Sequence, residues 1–261
     1  MTPSISAILI AKDEEADLPG CLKSLQGLAV EVVIVVSEDT TDRTEEIARA
    51  AGARVLLRRF DDYASQRQAG LDAARGEWCL WIDPDERVSA ALAAEIRAAL
   101  SGPASAGGYD ISFEVVFLGR TLRWGGLGCE KHLRLFRRSQ ARFVGGALHE
   151  GIVVDGLLGR LKGVIVHEPY RDISDYLSKL DRYTTLAARK RFQAGRRSSP
   201  LHHLILPWNF FSRAVLKLGV LDGYPGLVWA GLAACHSWLK SMKLRELELR
   251  RFSKRAPNLA D

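Results

Sequence analysis

The sequence predicts an α/β fold, with a mostly parallel sheet, flanking helices and a helical, basic and amphipathic C-terminal extension. Three observations predict it. In the first hundred residues, short apolar runs alternate with stretches of helical period, the order that a parallel sheet with right-handed crossovers requires. Several of those runs end in polar or acidic residues, and ligands in such sheets bind at the carboxyl ends of strands. From Asp172 onward the β alternation gives way to mixed apolar and basic stretches, which read as helices.

The elements follow in order. Ile5-Ser6-Ala7-Ile8-Leu9-Ile10-Ala11 reads as the first strand. Residues 14–28 place Leu18, Leu22 and Leu25 on one helical face. Val32-Val33-Ile34-Val35-Val36 is β-branched throughout and suits a strand buried on both faces. Residues 42–51 are helical and stop at Gly52, Arg54-Val55-Leu56-Leu57 is a third strand, and residues 63–75 form a helix closed by Gly76. The apolar run Trp78-Cys79-Leu80-Trp81-Ile82, between Gly76 and Pro84, is a fourth strand. An alanine-rich helix over residues 90–100 leads to a linker rich in Ser, Gly, Ala and Pro at 101–108. Residues 109–117 and 151–154 read as strands with a glycine-rich loop, 125–128, between them, and residues 174–193 as a long amphipathic helix with a basic end.

With 261 residues, 47% apolar and 26% charged, the chain can bury a core as one large domain or one domain plus an appendage. The net charge of +6 hides an asymmetry: residues 1–100 carry 11 basic and 18 acidic side chains, residues 101–261 carry 26 and 13. An acidic front half argues against a nucleic-acid partner, and the basic rear half calls for phosphate groups or an anionic membrane. Cys21, Cys79, Cys129 and Cys235 form no Cys-x-x-Cys pair, so free thiols in a reducing compartment are expected. The N-terminus lacks a basic n-region and its apolar run is short for a signal peptide, which points to the cytoplasm.

The fourth strand discharges into Asp83, Asp85 and Glu86. Unpaired carboxylates are costly to bury, so this cluster is expected to bind something positive. Asp-x-Asp suits a hard divalent cation held together with phosphate oxygens. The same residues also suit a polar turn that caps the next helix, with Ser89 as another cap. Lys12-Asp13-Glu14-Glu15 after the first strand and Ser37-Glu38-Asp39 after the second fall on the same sheet edge. No Gly-x-Gly-x-x-Gly follows the first strand and no Gly-Lys-Ser/Thr loop is present, which disfavours dinucleotide and P-loop sites.

These segments resemble a family 2 glycosyltransferase, an inverting, nucleotide-sugar-dependent enzyme with the GT-A (Rossmann-like) fold. The resemblance is carried by Ala11-Lys12-Asp13-Glu14-Glu15, Thr40-Thr41-Asp42-Arg43-Thr44, the block from Gln66 to Trp78, and Asp83-Pro84-Asp85-Glu86-Arg87. Arg134-Leu135-Phe136-Arg137-Arg138, Leu148-His149-Glu150, Tyr176-Leu177-x-Lys179-Leu180-x-Arg182-Tyr183 and Gly219-Val220-Leu221-Asp222-Gly223 extend it to the lipopolysaccharide core glucosyltransferase-like branch. It implies three parts: a nucleotide-sugar-binding half over 1–100, an acceptor-binding half over 101–170, and a membrane-associating or oligomerising extension over 171–261. Two departures stand out: Ser37 occupies the position where the family has the carboxylate that meets the nucleobase, and Gln68 stands where Asn is usual.

The resemblance implies that Asp83 contacts the ribose and Asp85 ligates Mg²⁺ or Mn²⁺ on the diphosphate. The donor, a UDP-sugar by preference, would be met by Ala11, Lys12, Glu14, Glu15, Ser37, Glu38, Asp39, Arg67, Asp83, Arg134 and His149. Arg forks match phosphate oxygens, which suits Arg134, Arg137 and Arg138 to the diphosphate or a phosphorylated acceptor; a solvated basic strand edge is the other reading of the last two. The base must be a carboxylate or His opposite the leaving group. Glu150 is the candidate, because glycines on both sides let the backbone approach a ligand, and His149 is the reserve. Glu150 paired with an Arg, merely shaping the loop, is the alternative. Trp124, beside Gly125 and Gly126, suits either a sugar platform or a core position.

Residues 171–261 hold 17 basic and 7 acidic side chains, interrupted by uncharged stretches at 198–212 and 223–239. Aromatic residues such as Trp208, Phe211 and Tyr224, and basic flanks including Arg250, Arg251, Lys254 and Arg255, suit peripheral attachment to the inner face of the cytoplasmic membrane through anionic lipid. An ordinary helical subdomain or a homo-oligomer interface would use the same apolar surface. The reading as a whole is a hexosyltransferase acting on a lipid-linked or lipopolysaccharide-core saccharide. A nucleotidyltransferase would need a glycine-rich basic loop where Lys12-Asp13-Glu14-Glu15 stands, and a non-catalytic membrane scaffold on a nucleotide-sugar fold is the third alternative.

Overall fold

A computed structural model of the protein describes residues 3–102, 106–127, 131–146 and 149–253, and only the backbone of 146, 149, 150, 252 and 253. Cys129, Lys254 and Arg255 lie outside it, as do the side chains of His149 and Glu150. The chain forms two units, one of residues 1–114 and 129–167, the other of 115–128 and 168–261.

The first unit begins with β1 (Ile5–Ala11), α1 (Leu18–Leu25), β2 (Glu31–Ser37), α2 (Thr44–Ala50), β3 (Arg54–Arg58), α3 (Tyr63–Ala73) and β4 (Trp78–Trp81). It continues with β5 (Glu86–Val88), α4 (Ala90–Ser101) and β6 (Gly108–Phe117); β6 runs on into the second unit, where its end pairs with β7 (Arg120–Leu122). The remaining strands of the first unit are β8 (Lys131–Arg137), β9 (Ala141–Gly146), β10 (His149–Val154) and β11 (Leu158–His167). The sheet order is β3-β2-β1-β4-β8-β6-β11-β5. β3, β2, β1 and β4 are parallel neighbours, whereas β4·β8, β8·β6 and β11·β5 are antiparallel. β9 and β10 form a separate antiparallel hairpin.

The expected α/β sheet with flanking helices is therefore present, with its parallel pairing concentrated in the front half. Period-two alternation explains how β1 serves both faces. Ile5, Ala7 and Leu9 pack with Leu18, Leu25 and Ile34 in one core, while Ile8 joins Val33, Leu71, Cys79 and Phe136 on the other side. Each such Leu or Ile contributes about 1.5–3 kcal/mol by leaving water.

α1 starts at Leu18, later than residue 14, because the preceding amides are taken elsewhere. Glu14 N donates to Thr44 Oγ1 at 2.7 Å and Glu15 N to Asp42 Oδ2 at 2.9 Å, and a proline opens the helix. Strand β11 is hidden in the sequence by its glycines and basic residues. Gly163 is required there: a Cβ would lie 2.5 Å from Leu92 Cα, and Glu95 accepts from the Lys162 and Gly163 amides at 2.9 and 2.7 Å.

The second unit contains β7, α5 (Ile173–Gln193), α6 (Ile205–Phe211) and α7 (Gly223–Ser253). Asp172 caps α5 by accepting from Asp175 N at 2.8 Å. An aromatic core joins Phe117, Tyr170, Tyr176 and Trp229, with centroids 5.3 Å apart for Phe117–Trp229 and 4.4 Å for Tyr170–Tyr176. Lys243 on α7 reaches back to Asp181 and Thr185 on α5 at 2.8 and 2.7 Å.

Candidate active site

Parallel pairing brings the carboxyl ends of β1, β2 and β4 to one edge. Ala11 lies opposite Val36, and Ile8 opposite Trp81, so the residues that follow each strand emerge together. Buried Ala11 ends β1, and Lys12 next to it is bonded to Asp39. Asp13 has φ 55° and accepts from Thr41 N at 2.8 Å and Thr41 Oγ1 at 3.1 Å, which ties the first strand end to the second. Among residues other than glycine, such left-handed geometry is tolerated best by Asn and Asp. Glu15 receives Arg43 Nε at 3.3 Å.

Ser37 is buried and donates to Asp39 Oδ1 at 2.5 Å. The Lys12 ammonium and the Ser37 hydroxyl together hold the Asp39 carboxyl below its usual range. The serine thus orients a carboxylate two residues on. Glu38 is exposed, with its amide donating to Arg58 O at 3.2 Å.

Asp83 and Asp85 follow β4 and divide into different environments. The register of β4 against β8, Leu80 opposite Leu135, continues to Trp81 beside Arg134. The guanidinium groups of Arg134 and of Arg67, on α3, lie 4.2 and 4.4 Å from the Trp81 ring. They also lie 3.5 and 3.6 Å from the Asp83 carboxylate, to which the indole Nε1 donates at 3.3 Å. Burial works against the Asp83 charge, but Arg134 and Arg67 outweigh it and hold the carboxyl below its usual range.

Glu86, on β5, is 1% exposed; it accepts from Arg134 Nη2 at 2.7 Å and from the Asp83 amide at 2.8 Å. Burial pushes its carboxyl well up, against the pull of Arg134. Arg134 Nε and Nη1 are buried without a hydrogen-bond partner among the described residues.

His167, which sequence reasoning did not single out, ends β11 with Nε2 3.3 Å from Asp85 Oδ2. Among the described residues, Asp85, Glu86 and His167 form the one group of three or more His, Cys, Asp or Glu side chains whose donor atoms lie within 4.8 Å of one another. Glu86 is buried and bonded through both oxygens, whereas Asp85 and His167, bonded to each other, are partly exposed and so the more accessible to a cation. The carboxylate oxygen suits Mg²⁺ or Mn²⁺, while the imidazole nitrogen leans towards a first-row transition ion.

The backbone of Glu150 lies opposite Gly145 in the β9–β10 hairpin. Gly145 also lines an open groove of about 390 Å³ with Arg58, Ser65, Gln68, Asp72 and Phe143. Gln68, the residue in place of the usual Asn, accepts from Phe143 N at 2.8 Å and donates to Asp72 at 2.7 Å, so it fastens α3 to the hairpin. Arg137 pairs with Glu77 at 2.6 Å, and Arg138 Nε donates to Gly76 O at 3.1 Å; neither is brought to Asp83.

Residues 6–149 match the family model for glycosyl transferase family 2, more than half of the chain. The chain belongs to that family. Over 265 aligned residues it is 27% identical to the lipopolysaccharide core biosynthesis glycosyltransferase LpsC of Rhizobium meliloti (strain 1021), covering 98% of this chain and 96% of that protein. It is 26% identical to the uncharacterized glycosyltransferase RT0209 of Rickettsia typhi (strain ATCC VR-144 / Wilmington), covering 94% and 88%. A solved structure of S. aureus TarS 1-349 aligns with 93% of this chain and 91% of that one, at 15% identity and a TM-score of 0.48. As a family 2 glycosyltransferase, the chain joins a parallel-sheet edge to two guanidinium groups, a partly exposed Asp–His pair and a glycine-flanked hairpin.

Proposed function

We propose that this glycosyltransferase moves a hexosyl group, with inversion, from a nucleotide-sugar donor to a hydroxyl of a lipopolysaccharide-core or lipid-linked saccharide, using Mn²⁺ or Mg²⁺. The observation that carries the reading is the separation of roles among the acids after β4. Asp83 is enclosed by Arg67, Arg134 and Trp81, whereas Asp85 faces His167. The relationship to LpsC over almost the whole chain supports the acceptor class.

Asp85 and His167 would hold the cation, which supplies charge neutralisation for the departing diphosphate. The buried guanidinium of Arg134, with two nitrogens still open, adds a fixed positive charge where water is excluded and so favours the same developing charge. Asp83, kept ionised by the two arginines, is a hydrogen-bond acceptor for ribose hydroxyls. Asp39, oriented by Ser37 and Lys12, provides the base-reading carboxylate that Ser37 itself lacks, and a uracil N–H is the donor it would accept from. Glu150, set across from the groove-lining Gly145, takes the proton of the acceptor hydroxyl.

A thermal-shift panel of nucleotide sugars with and without Mn²⁺ tests donor and metal together. UDP-sugars should raise the melting temperature only with the cation, and Asp85→Asn should remove that dependence. Glu150→Gln should leave donor binding intact and lower turnover by about 10²–10⁴-fold. Near-normal turnover in that variant would reassign the base.

A further inference from the structure

Large apolar side chains on the surface are unevenly placed. Of the 26 that are exposed among the described residues, 12 fall between Leu201 and Leu227. Leu201, Leu204, Trp208, Leu216, Leu221 and Tyr224 are each 54–71% exposed. Scattered exposed apolar residues are normal, but a contiguous concentration marks a surface that meets an apolar phase.

The segment is bent and the bend is fastened. Pro200–Leu216 and Gly219–Arg251 meet at 69°; among the described residues no single helix is long and apolar enough to cross a membrane, and only this bent pair together has the length and composition of a broken span or a re-entrant loop. At the corner Leu218 has φ 58° and Gly223 φ 70°. A Cβ on Gly219 would lie 2.6 Å from Arg213 O, and one on Gly226 would lie 2.1 Å from Gly219 O.

The loop 123–125 clamps this corner. The buried carboxylate of Asp222 accepts from Arg123 N at 3.1 Å and Trp124 N at 2.9 Å. Gly125 N donates to Lys217 O at 2.8 Å, and Arg213 donates to Gly125 O at 3.0 Å. The glycine turn that follows Trp124 therefore shapes the corner, and nothing here assigns it to a sugar.

Charge selects the occupant. From Arg182 to Arg245 there are 11 Lys and Arg residues and a single carboxylate, Asp222, which the amides enclose; Lys243 and Arg245 pair with Asp181 and Glu248 outside this span. Lys217 is exposed at the corner itself, beside Leu216 and Leu218. A second copy of this chain meeting it with the same face would bring the same positive charge to the contact, whereas an anionic lipid surface complements it. Trp208 and Tyr224 have the amphipathic rings that settle at the headgroup level.

We propose that residues 201–227 form a preformed membrane wedge, which inserts the corner around Leu216–Leu221 into one leaflet of an anionic bilayer without spanning it. The clamp holds the bend, so the two limbs lie near the surface plane with the apolar corner down. This accounts for the cytoplasmic-leaflet attachment expected from composition, and it stands independently of the proposed transfer reaction.

The test uses the full chain with vesicles of phosphatidylcholine mixed with phosphatidylglycerol, and with vesicles of phosphatidylcholine alone. The protein should sediment with the mixed vesicles and bind less as salt rises. Leu216→Ser combined with Leu221→Ser should weaken binding at least about tenfold, from the loss of two half-exposed leucines, with an unchanged melting temperature. Lys217→Glu should weaken it about fivefold or more on mixed vesicles and leave residual binding to phosphatidylcholine unaltered. The proposal is overturned if the full chain stays in the supernatant, or if the double-serine variant binds as tightly as wild type. It is equally overturned if light scattering shows a vesicle-free dimer that those serines dissociate, because the surface then belongs to a second copy.

Discussion

The first unit buries Glu86 against a guanidinium, and the second buries Asp222 against main-chain amides. Both carboxylates sit at turns, and both are less than 5% exposed. Their partners decide what they do. Arg134 satisfies Glu86 at 2.7 Å while also meeting Asp83 and Trp81, so the pair sets the charge at the end of β4. Asp222 meets the amides of Arg123 and Trp124, so its bonds fix backbone shape rather than neutralise a side-chain cation. A carboxylate paired with a cation tunes electrostatics; one paired with amides holds a corner.

The largest effect should follow from breaking the charged pair. Arg134→Met leaves Glu86 buried without its counter-ion and should cost about 3–5 kcal/mol in urea unfolding. Adding Glu86→Leu removes the orphaned charge, and buried pairs replaced by apolar residues are often neutral or better, so most of that stability should return. Donor binding should not return with it, because the guanidinium facing Asp83 is still missing. If the double variant regained donor affinity, Glu86 and Arg134 would be scaffolding alone.

Breaking the amide-bound corner should cost less. Asp222→Ala leaves two buried amides without acceptors, about 1–3 kcal/mol by chemical denaturation. Asp222→Asn keeps one carbonyl oxygen and should lose less than half as much. The sharper readout is membrane binding: the alanine variant should lose vesicle affinity in proportion to its loss of structure near the corner, followed by hydrogen exchange at Arg123 and Trp124. Equal losses for Ala and Asn would mean that charge, rather than hydrogen bonding, holds the turn.

The two regions also differ in how much of them could be read from sequence. β1 to β4 are short apolar runs set between Gly, Pro and acidic residues, so local pattern was enough to place them and the edge they share. Asp85 was visible as part of Asp-x-Asp, but its partner His167 was not. It lies 82 positions away on β11, where Gly159, Arg160, Lys162 and Gly163 obscure strand alternation. Arg134 was found through family resemblance, yet its stacking on Trp81 depends on the antiparallel register of β8, which no local pattern carries. In the second unit, the uncharged stretches were evident, but the clamp joining residues 123–125 to Asp222 was not. A bond across 98 positions is made by tertiary placement, and Trp124 read alone suited a sugar platform as well as a core.

A third kind of buried group gives the smallest effect at neutral pH and extends the comparison to alkali. Cys79 in the first unit is fully buried, and that burial pushes its thiol up to about 12 from 9.0, with Arg138 pulling it partway back. The unfolded chain therefore releases this proton first as pH rises. The stability contributed by the neutral buried thiol is whole below pH 9 and is lost between pH 9 and pH 12, by at most about 1.4 kcal/mol per pH unit. Tyr176 in the second unit is also pushed up by burial and adds its own alkaline loss. Cys79→Ala separates the two. It should lower stability by about 1 kcal/mol at pH 7 through the small cavity it leaves, and then fall less steeply than wild type above pH 9. Urea melts at stepped pH would show the two curves converging. Parallel curves would place the alkaline weakness outside Cys79, in Cys21 of the same unit, which burial also pushes up, or in the aromatic core around Tyr176.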